Sequence, residues 1–256
     1  MKSLFRLILA FSLAVTLNAA EKIVVGASPI PHAEILEAAK PLLKEKGYEL
    51  EIRVFNDYII PNKALQDGQL DANYYQHIPY LEEFNAREKT DLVATVKVHI
   101  EPMGVYSKKI KNVSELKDGD KVAIPNDPTN ESRALELLAA IKIISLNNNS
   151  LKTPKDITDN PKNLKFIEIE AAQLPRTLGD TTLSVINTNF AINAGLNPLK
   201  DALAIESGES PYSNIIAVKR GNEESAKIKA LNEAMTSQTV KKFIETKYNG
   251  TIIPVF

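Results

Sequence analysis

The stretch "KIVVGASPIPHAEILEAAKPLLKEKGYELEIRVFN", residues 22–56, sets the fold class. Residues 22–28 read as a short apolar strand ending in small side chains. Residues 31–48 read as a helix, with Gly47 suited to stop it. "ELEIRVFN" (49–56) then alternates as a second strand. The rhythm continues through a short helix "IPNKALQDGQ" (60–69), a strand-like "LDANYYQ" (70–76) and a helix "IPYLEEFNARE" (78–88) with Pro79 in its first turn. Strands and helices taking turns at this spacing imply an α/β fold with a mainly parallel sheet. In such sheets, ligands bind outside the carboxyl ends of the strands.

A second unit opens at "VSELKDGDKVAIPND" (113–127), where a helix capped by Ser114, a polar turn and a buried strand repeat the opening pattern. The Asn- and Pro-rich segment 144–165 reads as surface loop. It is followed by the strand "FIEIEA" (166–171), a helix near "AAQLPRTLGD" (171–180), the apolar run "LSVIN" (183–187) and a helix around "TNFAINAGL" (188–196). "NIIAVKR" (214–220) is a strand, and a polar-faced helix is expected from Glu223 to Lys247. Two α/β units with the chain returning to the first predict two lobes around a cleft. Residues 21–109 and 208–256 would form lobe 1, and residues 110–207 lobe 2.

The chain has 256 residues, 44% hydrophobic and 25% charged, enough for one large or two modest globular units. Its first twenty residues, "MKSLFRLILAFSLAVTLNAA", place Lys2 and Arg6 before an apolar run from Leu7 to Leu17 and then small residues. That run is shorter than the ~20 residues that span a bilayer and suits a secretory signal cut near Ala19 or Ala20. Cleavage would remove two positive charges, so a formal charge of −1 becomes −3, and no nucleic-acid partner is expected. Export into the periplasm of a Gram-negative cell is the expected destination. There is no cysteine, which removes disulfides, thiolate metal sites, a cysteine nucleophile and an N-terminal lipidated cysteine. The mature chain is therefore expected to be soluble rather than lipid-anchored.

No P-loop, GxGxxG or GxSxG is present, and His32, His77 and His99 form no closely spaced metal pair. Neither a catalytic role, a cofactor nor a metal is expected. Polar and aromatic side chains instead gather at strand ends and helix starts. "FNDYIIPNKAL" (55–65) and "NYYQHIPYL" (73–81) hold Tyr58, Tyr74, Tyr75, His77 and Tyr80, suited to the wall of a pocket for a small amphiphilic ligand. Ordinary half-buried tyrosine packing, and a helix cap for His77, are the plain alternatives. Tyr74 and Tyr75 face opposite ways on a strand, so only one should meet a ligand.

"IPNDPTNESRALELLAAIKI" (124–143) carries the other signal. A helix opened by Asp127, Pro128 and Thr129 puts Arg133 near its positive end, where a cation is disfavoured. Arg133 either forms a surface salt bridge to Glu131 or Glu136, or holds an anion such as a carboxylate beside the helix amides, with Asn130 on the same face. Asn187 and Asn214 each border an apolar run, where a buried amide without partners costs about 1–3 kcal/mol. They either cap turns or serve a ligand.

The strings "FNDYIIPNKAL", "DANYYQHIPYLEEFN", "VHIEPMGVYSKK", "VAIPNDPTNESRAL" and "ESGESPYSNIIAVKR", in this order over essentially the whole mature chain, resemble the methionine-binding lipoprotein family of NlpA type. The resemblance implies a two-lobed periplasmic binding protein of type II-like form, with crossings near "EPMGVYS" and "SPYSNIIAV". It implies a monomer that captures L-methionine and delivers it to an inner-membrane ABC permease and its ATPase. Tyr58, Tyr75, His77 and Tyr80 would surround the thioether, Arg133 would pair with the carboxylate, and Asn187 and Asn214 would bind the carboxylate or the ammonium. Alternative cargoes are another amino acid, D-methionine or a methionine-containing dipeptide, and further off a metal or an enzyme's substrate on the same scaffold. Tyr75 stands where relatives commonly carry Phe, adding a hydroxyl to the expected pocket wall.

Overall fold

The computed structural model describes residues 20–256; apart from Ala20, the expected signal segment 1–20 lies outside the described residues. The elements run β1 (Glu21–Ala27), α1 (Glu34–Glu45), β2 (Tyr48–Val54), α2 (Ile60–Gln66), β3 (Ala72–His77), α3 (Ile78–Glu88) and β4 (Leu92–Ile100). The second half of the order is β5 (Gly104–Tyr106), β6 (Lys121–Pro125), α4 (Pro128–Ala140), a small pair β7 (Ser145–Leu146) and β8 (Ile157–Asp159), β9 (Lys165–Ile169), a 3₁₀ helix (Ala171–Gly179), β10 (Leu183–Ile186), α5 (Thr188–Asn193), α6 (Pro198–Asp201) and β11 (Ala202–Ile205). The chain then closes with β12 (Ser213–Lys219), α7 (Ala226–Met235), α8 (Gln238–Tyr248) and β13 (Ile253–Pro254).

Two large sheets result, in the orders β13-β4-β12-β3-β1-β2 and β11-β5-β10-β6-β9. They are mixed rather than mainly parallel. The β1–β2, β1–β3, β6–β9 and β6–β10 pairs are parallel, as the alternating helices require. The β12 strand runs antiparallel to β3 and β4, and β5 runs antiparallel to β10 and β11. These antiparallel members flank the two places where the chain passes between sheets, so they reach their neighbours without a crossover helix. Because β5 pairs in the second sheet, the first passage falls at residues 101–103, ahead of the expected boundary at 109/110. The return lies between Ile205 and Ser213.

Each sheet is packed on both faces. Side chains of Ile23, Val25, Tyr74 and Ile216 meet Ile35, Leu36, Ala39 and Leu43 of α1 and the apolar faces of α7 and α8. On the opposite face, Tyr75, Ile215 and Ala217 meet α2 and α3 through Leu65, Leu81 and Phe84. The strand period of two thus sends neighbours such as Tyr74 and Tyr75 into different cores. The second sheet packs Val122, Ile124, Leu183 and Val185 on α4, and Ala123 and Ile186 on the 3₁₀ helix and α5. Tyr58 packs against a core of each sheet.

Two local expectations change. Residues 223–247 form two helices, because Thr236 leaves the helical path at ψ 20° and Ser237, at ψ 158°, caps α8 by accepting from the Val240 N–H. The strand β4, with its alternating "LVATVKVHI", is an element that the sequence reading passed over. Among the described residues no helix is long and apolar enough to cross a membrane. Replacing the cap, Ser237→Ala, is expected to lower stability by about 0.5–2 kcal/mol in urea denaturation, with the slope of the transition unchanged.

Candidate functional site

The carboxyl ends of the strands and the starts of α3, α4 and α5 converge on one cavity between the two sheets. All eight residues singled out from sequence line it: Tyr58, Tyr75, His77, Tyr80 and Asn214 from the first lobe, and Asn130, Arg133 and Asn187 from the second. Gln76, Glu101, Thr188 and Asn189 line it as well and were missed. Glu101 had a legible signal, an isolated acid in the apolar "VHIEPMGV"; the others had none beyond their neighbours.

Three tyrosines form the aromatic part, with ring centroids 6.0–6.2 Å apart in tilted and edge-on pairs. Their hydroxyls are already employed. Tyr75 and Tyr80 both donate to the Tyr58 carbonyl, at 2.9 and 2.8 Å, and the Tyr58 hydroxyl donates to Asn189 Oδ1 at 2.6 Å. The hydroxyl of Tyr75 therefore adds no free donor to the pocket wall. Tyr74 is turned to the other face and bonds the ring of His99.

His77 is both a cap and a wall. Its Nδ1 accepts the Tyr80 N–H at the start of α3, so Nε2 carries the proton and faces Asn130 Oδ1 at 3.3 Å. Burial, aided by the Arg133 charge, pushes this histidine down to about 3, so it is neutral at pH 7. Asn130 is fixed by Asp127, the α4 cap, and accepts from Asn187 Nδ2 at 2.8 Å. The Oδ1 of Asn187 is buried without a partner.

Arg133 lies in the second turn of α4 and is only 4% exposed. Neither Glu131 nor Glu136 is its partner. Its Nε and Nη2 pair with the carboxylate of Glu206, Nη2 also donates to the Glu101 carbonyl at 2.8 Å, and the guanidinium lies 4.3 Å over the Tyr212 ring. Nη1 makes no hydrogen bond to any described residue.

Two histidines set aside by the sequence reading come together behind the cavity. His32 Nε2 lies 3.2 Å and His99 Nε2 2.8 Å from Glu101 Oε1. Together they make a buried His–His–Glu group of the kind that can hold a metal ion. Histidines far apart in the chain are thus neighbours in space, against the expectation of no metal-spaced cluster. Hydrogen bonds account for the grouping, His99 Nε2 to Glu101 Oε1 at 2.8 Å and His32 Nε2 to Asn214 Oδ1 at 2.9 Å, without an ion. Burial raises the Glu101 carboxyl above its ordinary value, opposed by His32, Arg133 and the Asn189 N–H.

The class is that of two-lobed periplasmic binding proteins, and comparison with known proteins agrees. The model of the NlpA lipoprotein family matches residues 23–256, and the chain belongs to that family. It is 46% identical to the methionine-binding lipoprotein MetQ of Bacillus subtilis over 92% of this chain and 88% of the relative. It is 42% identical to the D-methionine-binding lipoprotein MetQ of Salmonella typhi over 89% of this chain and 84% of that one. A nutrient binding protein from Burkholderia cenocepacia, solved bound to methionine, superposes with a TM-score of 0.89 at 42% identity, covering 91% of this chain and all of that one. These lipoprotein names overturn the expectation of a soluble rather than anchored protein.

Glu131, beside the site in the first turn of α4, has a buried Oε1 with no partner. Burial first, then Glu168, Asp127 and Asp156, pushes its carboxyl up to about 7. A raised folded-state value in an acid means that stability is fullest below the unfolded value near 4.5 and falls as pH rises toward 7. Glu131→Gln is expected to melt higher than the parent at pH 8, with the difference closing by pH 4 in calorimetric scans.

Proposed function

We propose that this protein captures methionine in the inter-lobe cavity and hands it to an inner-membrane ABC permease with its ATPase, acting as a monomer. The observation that carries the reading is the cavity's pairing of an aromatic wall with unmatched polar atoms of both kinds. Tyr58, Tyr75, Tyr80 and the neutral His77 present ring faces to a side chain. Burying a methionine side chain contributes about 2–3 kcal/mol, and sulfur against aromatic rings adds ~0.3–1.5 more.

At the polar part, Arg133 Nη1 is a donor for the carboxylate. The Oδ1 of Asn214 faces His32 at 2.9 Å, which leaves its Nδ2 as a second donor. The unpartnered Oδ1 of Asn187 and the Glu101 carboxylate are acceptors for the ammonium. Such a zwitterion can leave water only if every charged atom finds a partner, and the partners come from both lobes. Ligand therefore favours the closed arrangement. The names and the bound ligand of the relatives support methionine as the cargo, in either hand.

The test is calorimetry with both enantiomers and with analogues. Arg133→Ala alone would strand Glu206, so the paired variant Arg133→Ala/Glu206→Ala is the cleaner probe. It is expected to weaken methionine binding by about 100-fold or more while circular dichroism is unchanged. Norleucine should lose less than about tenfold, and the decarboxylated amine about 100-fold. Undiminished affinity in the paired variant would overturn the assignment.

A further inference from the structure

The buried group behind Glu101 carries an inference that rests on the proposed methionine site and goes beyond it. We propose that His32 and His99 are positioning residues: two neutral rings that hold the Glu101 carboxylate as the acceptor for the ligand's ammonium.

The donor and acceptor inventory fixes the arrangement. An ionised carboxylate only accepts, so each Nε2 facing Glu101 Oε1 must carry a proton. His99 then has a bare Nδ1, which accepts the Tyr74 hydroxyl. The His32 Nε2–H is donated to Asn214 Oδ1 at 2.9 Å and lies 3.2 Å from Glu101 Oε1, so the same ring orients an amide of the cavity wall and lines one side of the carboxylate. His32 and His99 are 1% and 0% exposed and lie behind the residues that line the cavity. Burial pushes His32 down to about 4 and His99 to about 3, in keeping with neutral rings.

The charge balance supplies the reason for the device. Arg133, the cation beside this group, gives its Nε and Nη2 to Glu206 and meets only the backbone carbonyl of Glu101. Glu101 thus has hydrogen-bond donors and no cation in contact with its carboxylate. A buried acid without a counter-charge is disfavoured in its charged form, and an arriving ammonium relieves that cost. The histidines keep the acceptor oriented without neutralising it, as a protonated histidine or a lysine in their place would.

The experiment compares methionine with its des-amino analogue, 4-(methylthio)butanoate, in the full chain. His99→Phe keeps the ring volume and removes the donor; it is expected to weaken methionine by about 10–100-fold while the analogue changes less than about twofold. His99→Gln, which retains a donor, should recover part of the loss. In a Glu101→Gln background, His99→Phe should add nothing further. Equal losses for both ligands, or additive losses, would overturn the proposal. A second reading needs no ligand: imidazole nitrogen spectra of the parent should show both rings neutral with the proton on Nε2 from pH 8 to 5. An imidazolium, or a proton on His99 Nδ1, would overturn it. So would one equivalent of bound metal that His99→Phe removes. A parent that binds no methionine but shows these ring states would remove the cargo assignment and leave the network's geometry standing.

Discussion

Arg133 joins the two passages of the chain between lobes. Its guanidinium holds the Glu101 carbonyl in the first passage and the Glu206 carboxylate in the second, and the same Glu206 accepts the Met103 N–H. A cation buried on α4 is tolerable only with an anion at hand, and here the anion belongs to the protein. Because Nε and Nη2 are taken up in this way, Nη1 alone is left without a partner among the described residues. The arginine is thus first a structural clasp, and whatever it offers a ligand is what remains after that duty.

The contacts between lobes are of two kinds. Those of Arg133 and of Thr188, which donates to the Pro102 carbonyl, involve the crossing segments themselves. The Tyr58–Asn189 and His77–Asn130 bonds link elements connected only through those crossings. Opening must break the second kind, and it would also separate Tyr58 from Phe190, whose rings lie 4.9 Å apart. A ligand that bonds both lobes adds to this side of the balance, so the closed population grows with differential contact and not with affinity alone.

Much of the wall was legible because it is local. Tyr75, His77 and Tyr80 lie on one strand-to-helix junction, where a period of two followed by a helical turn sets all three on one side. The cap at Asp127 and the helix it opens were equally plain, and so was the anomaly of an arginine near that start. The partner of Arg133 was not, because Glu206 is 73 residues away. The same holds for the group at Glu101, whose histidines sit on a turn before α1 and on β4. Sequence spacing searches for metal or proton partners within a few residues, and these meet only when β4 and the turn preceding α1 are packed in one lobe.

The sequence by itself determined the alternation of strands and helices, the aromatic residues and three of the amides that line the cavity, and membership in a family of two-lobed proteins. These follow from periodicity, capping chemistry and motifs that are read over a few residues at a time. Only the tertiary structure decided strand direction at the crossings, the tying of the Tyr75 and Tyr80 hydroxyls to one carbonyl, and which charges meet. Such choices depend on which distant surfaces are buried together. Burial converts a chance proximity of polar groups into a required pairing, and the order of residues along the chain does not state that requirement.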